Sequence, residues 1–145
     1  MQIAANPKPR LRVVAAVITA NGKLFLAQRP HHKDQGGLWE FPGGKVNKDE
    51  KPQEALLREL REELGVTNAQ VREFIAAQDF DYGPKIVCIE AYAVDCDPTL
   101  LKCLEHERLG WFSIKEVLHL ALAPADKFLI PVLGEKLEPS SKNKR

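Results

Sequence analysis

A chain of 145 residues, 44% hydrophobic and 28% charged, is the size of one globular domain, which excludes wholesale disorder and leaves little room for a second domain. With 21 basic against 20 acidic residues the net charge is +1, so there is no general electrostatic basis for gripping duplex nucleic acid, though a local basic pocket stays open. No segment reads as a transmembrane span or a secretory leader, so we expect a cytoplasmic protein without membrane partners; Cys88, Cys96 and Cys103, an odd set with no C-x-x-C pair, are expected as reduced thiols.

In chain order, residues 1–9 are expected to be a flexible N-terminus, and "LRVVAAVIT" from Leu11 to Thr19 reads as a buried strand because β-branched residues dominate it. Ala20, Asn21 and Gly22 supply turn chemistry, and "KLFLAQR" returns as the second strand of a hairpin. A polar loop, "PHHKDQGG", leads to the short extended piece "LWEF" and a turn at Pro42, Gly43 and Gly44. The strongest helix follows, with Pro52 in its first turn, Gly65 just past its end, and a stripe of Leu56, Leu60 and Leu64 with Leu57. "VREFIAAQDF" and "KIVCIEAYAV" predict two strands around the turn "DYGP". A short strand is expected to end near Trp111 and Phe112, where "SIKE" reads as a capping box opening a short helix. A last helix is expected after Pro124, limited or kinked by Pro131, with residues 136–145 as a flexible tail. Strands on both sides of an amphipathic helix predict an α/β fold, a mixed β-sheet covered on both faces as an α/β/α sandwich, with residues 10–135 as one domain.

The helix poses an electrostatic problem. Residues advance about 100° each, so Glu59, Glu62 and Glu63 share a wedge of roughly 100° away from the leucine stripe. Ion pairs from Glu54 to Arg58 and from Arg58 to Glu62 would account for part of the charge, as on any solvated face. They do not account for Glu59 beside both Glu62 and Glu63, since like charges at these spacings cost about 0.2–0.5 kcal/mol per pair. The helix dipole adds about 0.3–1 kcal/mol against each exposed carboxylate in the last turn. A divalent cation would reverse both penalties, and oxygen-only ligands favour Mg²⁺ or Mn²⁺ over zinc. On geometry alone, a metal site and a merely charged surface both remain open.

Gly44, Glu50, Arg58, Glu59, Leu60, Glu62, Glu63, Gly65 and Val66 match the pattern G-x5-E-x7-R-E-U-x-E-E-x-G-U, U being a bulky aliphatic residue. On this motif the chain resembles the Nudix hydrolase superfamily. The resemblance runs from about Val13 to Leu133. In "LAQRP", "GLWEFPGGKV", "RELREELG" and "LAPAD" it is similar to the MutT-like branch, which includes 8-oxo-dGTP diphosphatases and a bacterial CTP pyrophosphohydrolase.

That resemblance implies a Mg²⁺-dependent enzyme, with Mn²⁺ as an alternative cofactor, that converts nucleoside triphosphates to monophosphate and pyrophosphate and serves DNA repair by clearing 8-oxo-dGTP or modified cytosine nucleotides. It implies Glu59, Glu62, Glu63 and Glu105 as metal ligands, with a backbone carbonyl of Gly43 or Gly44, and Glu50, Arg58 and Gly65 as structural members of the motif. Glu62 and Glu63 are catalytic candidates, joined by Glu105, which resembles a glutamate that relatives carry six residues before the matching tryptophan and is otherwise an ordinary loop acid. Arg29, Glu40, Phe41, Lys45 and Asp126 are the implied nucleotide contacts. Arg29 and Lys45 have solvent-facing alternatives, and alternation does not say whether Trp39 or Phe41 faces inward. Asp126 stands where MutT has asparagine and its CTP-hydrolysing relative has aspartate. An ionised carboxylate only accepts hydrogen bonds, which suits the exocyclic amine of cytosine or of a purine, though an acid in the first turn after Pro124 has its own helix-dipole rationale. The alternatives are another Nudix substrate, such as RNA 5′ triphosphate ends or, from Tyr82, dinucleoside polyphosphates, and a non-catalytic nucleotide-sensing module. The expected partner is the nucleotide, with the protein a monomer or a homodimer.

Overall fold

The computed structural model describes residues 7–137, so residues 1–6 of the expected loose N-terminus (1–9) and 138–145 of the expected tail (136–145) lie outside the described residues. The strands are β1 (Arg10–Val17), β2 (Thr19–Ala20), β3 (Lys23–Gln28), β4 (Trp39–Glu40), β5 (Gly43–Lys45), β6 (Gln70–Asp81), β7 (Ile86–Asp95) and β8 (Arg108–Phe112); the α-helices are α1 (Pro52–Leu64), α2 (Ile114–Val117) and α3 (Leu129–Leu137). The expected mixed sheet is present in the order β5-β1-β7-β6, with β1 parallel to β7 and its other neighbours antiparallel. A second, antiparallel sheet stands beside it, in which β3 pairs with β2, β4 and β8.

Local chemistry accounts for the turns. Asn21 and Gly22, with φ of 54° and 75°, make the two-residue connection between Ala20 and Lys23 that right-twisted strands favour. The hairpin is less continuous than expected, because the first strand ends at Val17 and resumes as β2. Pro9 is tied to the sheet, its carbonyl accepting from the Ile86 N–H at 2.9 Å. Ser113 and Glu116 form the expected reciprocal capping box. At Pro124 the chain makes a single 3₁₀ turn, Pro124–Asp126, and α3 begins only at Leu129, where Pro131 sits in the first turn and costs no hydrogen bond.

Alternation along β1 builds two cores. Val14 and Ala16 face α1 with Phe25, Tyr92 and Val94, whereas Ala15 and Val17 face Leu24, Trp39, Phe41, Ile89 and the C-terminal helices. Helix α1 covers its side with Ala55, Leu56, Leu60 and Leu64, all buried. Leu57 corrects the predicted stripe: it is 36% exposed, and Ala55 takes the inward position. Trp39 and Phe41 are both buried in the second core, being two residues apart along one extended run. No helix among the described residues is long and apolar enough to cross a membrane.

The expected outcome of Leu60→Ala is a loss of about 2–5 kcal/mol of folding stability, as for other large-to-small changes at closed core positions, whereas Leu57→Ala should cost less than about 1 kcal/mol. Urea denaturation of the two variants checks the orientation of α1.

Candidate active site

The guanidinium of Arg58 organises the helix and the loop before it. Nε and Nη2 donate to the two carboxylate oxygens of Glu50 at 2.8 and 3.1 Å, and Nη2 also donates to the Lys45 carbonyl at 2.8 Å. Nη1 donates to Glu59 at 3.1 Å and to Glu62 at 3.3 Å. The bidentate pair lowers the proton affinity of Glu50, helped by the Asn47 N–H, and raises that of Arg58. Arg58 thus faces Glu50 and not Glu54 as expected; Glu54 accepts from the Lys51 N–H at the helix start.

Two glycines let this helix touch the sheet. A Cβ on Gly43, whose φ is 150°, would lie 2.0 Å from the Val14 carbonyl oxygen, and one on Gly44 would lie 2.4 Å from the Glu59 carboxyl. Only bare backbone fits between β1 and the carboxylates. The Gly43 N–H donates to Glu63 Oε1 at 3.3 Å.

Three carboxylates of α1 lie in different surroundings. Glu62 is 51% exposed and Glu59 15%, and burial raises the Glu59 pKa against the opposing pull of Arg58. Burial, then the charges of Glu59 and Glu40, push Glu63 up to about 9 despite the Gly43 N–H. Glu105 lines a small recess together with Glu63. Its loop is held at the end of α1, where the N–H groups of Lys102 and Leu104 donate to the carbonyls of Leu64 and Glu63. Among the described residues no three His, Cys, Asp or Glu side chains are gathered as closely as a coordinated ion requires. The donors are nonetheless all oxygen, the Glu59 carboxyl lies directly against the bare Gly44 backbone, and among the described residues Glu63 accepts from the Gly43 N–H and pairs with no cation, so a divalent cation fits this chemistry.

A cleft with two lobes runs past these groups. One lobe, of about 470 Å³, is lined by Gly43, Gly44, Lys45, Asn47, Glu59 and Glu63. The other, of about 450 Å³, is lined by Tyr82, Pro84, Lys85, Val87, Ile89 and Ala125. Arg29, Glu40 and Asp126 line both and form the divide. Arg29 is half-buried, donating to the Asp34 carbonyl at 2.8 Å and reaching Glu40 at 3.5 Å. Lys45 is exposed at the rim, and Phe41 offers the cleft little beyond its wall and its N–H.

Asp126 is 8% exposed, and its Oδ2 accepts from the Phe41 N–H at 3.0 Å, so it bridges to the turn after β4 and does not cap a helix. Burial pushes its pKa up from 3.8 to about 7. Sequence reasoning placed most of the first lobe and missed nearly all of the second, as well as His106, whose ring meets Glu40 at 3.0 Å.

An all-oxygen acidic cluster beside a bare glycine turn, opening onto a cleft with a basic side chain at its divide, suits a phosphate ester or anhydride together with a cation. The NUDIX domain family matches residues 8–133, and the chain belongs to it: a Nudix hydrolase, acting on phosphoric anhydride bonds. Nudix hydrolases in general use divalent metal ions. Over 123 residues it is 47% identical to the CTP pyrophosphohydrolase of Escherichia coli K12, covering 85% of this chain and 88% of that one. It is 48% identical to the 8-oxo-dGTP diphosphatase of Proteus vulgaris, but over 43% of this chain and 57% of that one. Among solved structures, the Escherichia coli ORF135 protein superposes with a TM-score of 0.77 at 44% identity, covering 87% of this chain and 89% of that one. The MutT protein of Methanosarcina mazei Go1 superposes with a TM-score of 0.75 at 27% identity, covering 97% and 100%.

Because Asp126 binds its proton more tightly when folded, its contribution favours the fold below pH 3.8 and is lost as the pH rises through about 7. Asp126→Asn keeps an acceptor for the Phe41 N–H without the titration. Thermal melts of the metal-free protein should show the melting temperature of the variant, relative to the parent, rising between those two pH values and levelling above them.

Proposed function

We propose that the protein is a Mg²⁺-dependent nucleoside triphosphate pyrophosphohydrolase, with Mn²⁺ able to substitute, which cleaves cytosine or oxidised purine nucleotides to the monophosphate and pyrophosphate in the cytoplasm. The observation that carries this reading is that the pocket holding Glu59 and Glu63 adjoins a second one, with Arg29, Glu40 and Asp126 lining both. Phosphates and base of one nucleotide can occupy the two lobes together. The named activities of the Escherichia coli and Proteus vulgaris relatives support it.

Glu59, Glu62 and Glu63, with a carbonyl of Gly43 or Gly44, would hold the cation. Bound there, it neutralises phosphate charge and acidifies a water. Arg29 and Lys45 face the phosphates as cations, and Glu50 and Arg58 keep the loop and helix in register. Glu62, Glu63 and Glu105 are the candidates for taking a proton from the attacking water. Its oxygen bonds to phosphorus as the bond to the leaving pyrophosphate breaks. In the second lobe, one Asp126 oxygen is committed to Phe41, which leaves the other to accept from an exocyclic amine. Glu40 is the second acceptor beside it.

Tyr82, on the wall of the second lobe, supports a second reading in which that lobe takes the distal nucleoside of a dinucleoside polyphosphate. Relatives named RNA pyrophosphohydrolase, including one from Campylobacter jejuni at 34% identity over 80 residues, make RNA 5′ ends a further comparison.

Pyrophosphate release in Mg²⁺ should be greatest among CTP, dCTP, 5-hydroxy- or 5-methyl-cytosine nucleotides and 8-oxo-dGTP, with dinucleoside polyphosphates and RNA 5′ triphosphates slower. No release from any nucleotide would sink the reading. Glu63→Gln should lower kcat by about 10²–10⁴-fold. Asp126→Asn should shift the ratio of kcat/KM for cytosine against guanine substrates by about tenfold or more.

A further inference from the structure

The His106 side chain is 5% exposed, yet it stands in none of the roles assigned above. It follows Glu105 in the loop between β7 and β8, a loop fixed upstream at Leu104 and downstream where the Glu107 N–H donates to the Gln28 carbonyl at 2.8 Å. Between those anchors Glu105 is exposed, whereas His106 turns inward. Its Nε2 lies 3.0 Å from Glu40 Oε2, while the other oxygen of Glu40 faces Arg29 Nη1 at 3.5 Å. Nδ1 is buried and meets no partner among the described residues.

A buried N–H without an acceptor costs more than a buried lone pair that lacks a donor to a weak acceptor, and a carboxylate can only accept. The partners therefore assign the proton to Nε2, with Nδ1 as the bare nitrogen. In that tautomer His106 makes one directed hydrogen bond, to a carboxylate that lines both lobes of the cleft. Glu40 lies on β4, a strand of two residues, so side-chain contacts at its two oxygens decide where the carboxylate points.

We propose that His106 is a positioning residue for Glu40, aiming that carboxylate at the nucleotide and tying the Glu105 loop to the base-reading side of the cleft. This rests on the reading of Glu40 as a nucleotide contact. The contact joins two short pieces 66 residues apart in sequence, and together they wall a further small recess with Arg29, Lys33, Glu63 and Glu105. Glu40 is then held at both oxygens, by the Arg29 guanidinium and by a ring N–H on the loop of a candidate base.

The test combines kinetics with a readout independent of turnover. His106→Ala should raise KM for the preferred nucleotide by about tenfold, the cost of one hydrogen bond to a charged group, with kcat changed by less than about threefold. His106→Gln, whose amide nitrogen reaches the place of Nε2, should recover most of that loss. In a Glu40→Ala background, His106→Ala should change KM by less than about twofold. Independent, multiplicative effects of the two substitutions would overturn the proposal, as would a loss of kcat with KM unchanged. Long-range ¹H–¹⁵N spectra of the histidine rings should show His106 as the Nε2–H tautomer with a slowly exchanging ring proton, and Glu40→Ala should abolish that protection. An unaltered ring signal in Glu40→Ala overturns the inference even if the alanine variant at His106 fails to fold. Should the parent protein hydrolyse no nucleotide, the functional reading fails by itself, and the ring spectra still decide whether His106 orients Glu40.

Discussion

The arrangement depends on one guanidinium. Arg58 binds Glu50 across two hydrogen bonds, takes the Lys45 carbonyl at the end of β5, and reaches Glu59 and Glu62 on its own helix. A planar fork of donors with fixed directions can satisfy a strand end, a loop and a helix at once, which the single point charge of lysine cannot. Its effect is to press α1 against the β1–β5 edge until the Glu59 carboxyl occupies the space where Gly44 would otherwise carry a side chain. The spacing of arginine, glutamates and glycines in the motif is the linear trace of that contact.

Arg58 solves only part of the electrostatic problem it creates. It offsets the charge of Glu59 and leaves Glu63, deeper in the cleft, with a backbone N–H and no cation, so burial holds its proton into the alkaline range. A carboxyl in that state is a poor base and a poor ligand until positive charge arrives beside it, and then both properties change together. On the proposed reading, in which Glu63 would help to hold a cation, cation binding and the ionisation of Glu63 would be coupled.

What the sequence disclosed follows the range of the interactions. The Asn21-Gly22 turn, the Ser113–Glu116 box, the two ends of α1 and the acidic wedge all involve residues within a few positions of each other, and local rules reach that far. Leu57 escaped because a stripe of four leucines is one too many for the face α1 buries, and only the width of the opposing sheet decides which is left out. Glu54 and Arg58 had the spacing to pair, but Glu50, free to fold back from the loop, offers Arg58 a bidentate geometry that a helical neighbour does not. The second lobe was illegible for a stronger reason. Its wall combines Val13 from β1 with Val87 and Ile89 from β7, brought together by a parallel pairing across more than half the chain, and no local pattern marks those residues as facing a ligand and not the core.

The division of the cleft bears on why a shared motif accompanies different named substrates among relatives. The first lobe is built from the motif and the strand it leans on, so its chemistry cannot vary without disturbing the Arg58 contacts. The second is built from strand faces and the β6–β7 turn, which are free of that constraint. Arg29, Glu40 and Asp126 stand where the two meet, and each is held by something outside the motif: the Asp34 carbonyl, the His106 ring and the Phe41 N–H. If the cleft holds a nucleotide as proposed, substitutions behind those three residues would re-aim the groups at the divide without touching the carboxylates of α1. On this view, selectivity resides in the supports of the divide as much as in the residues that line it.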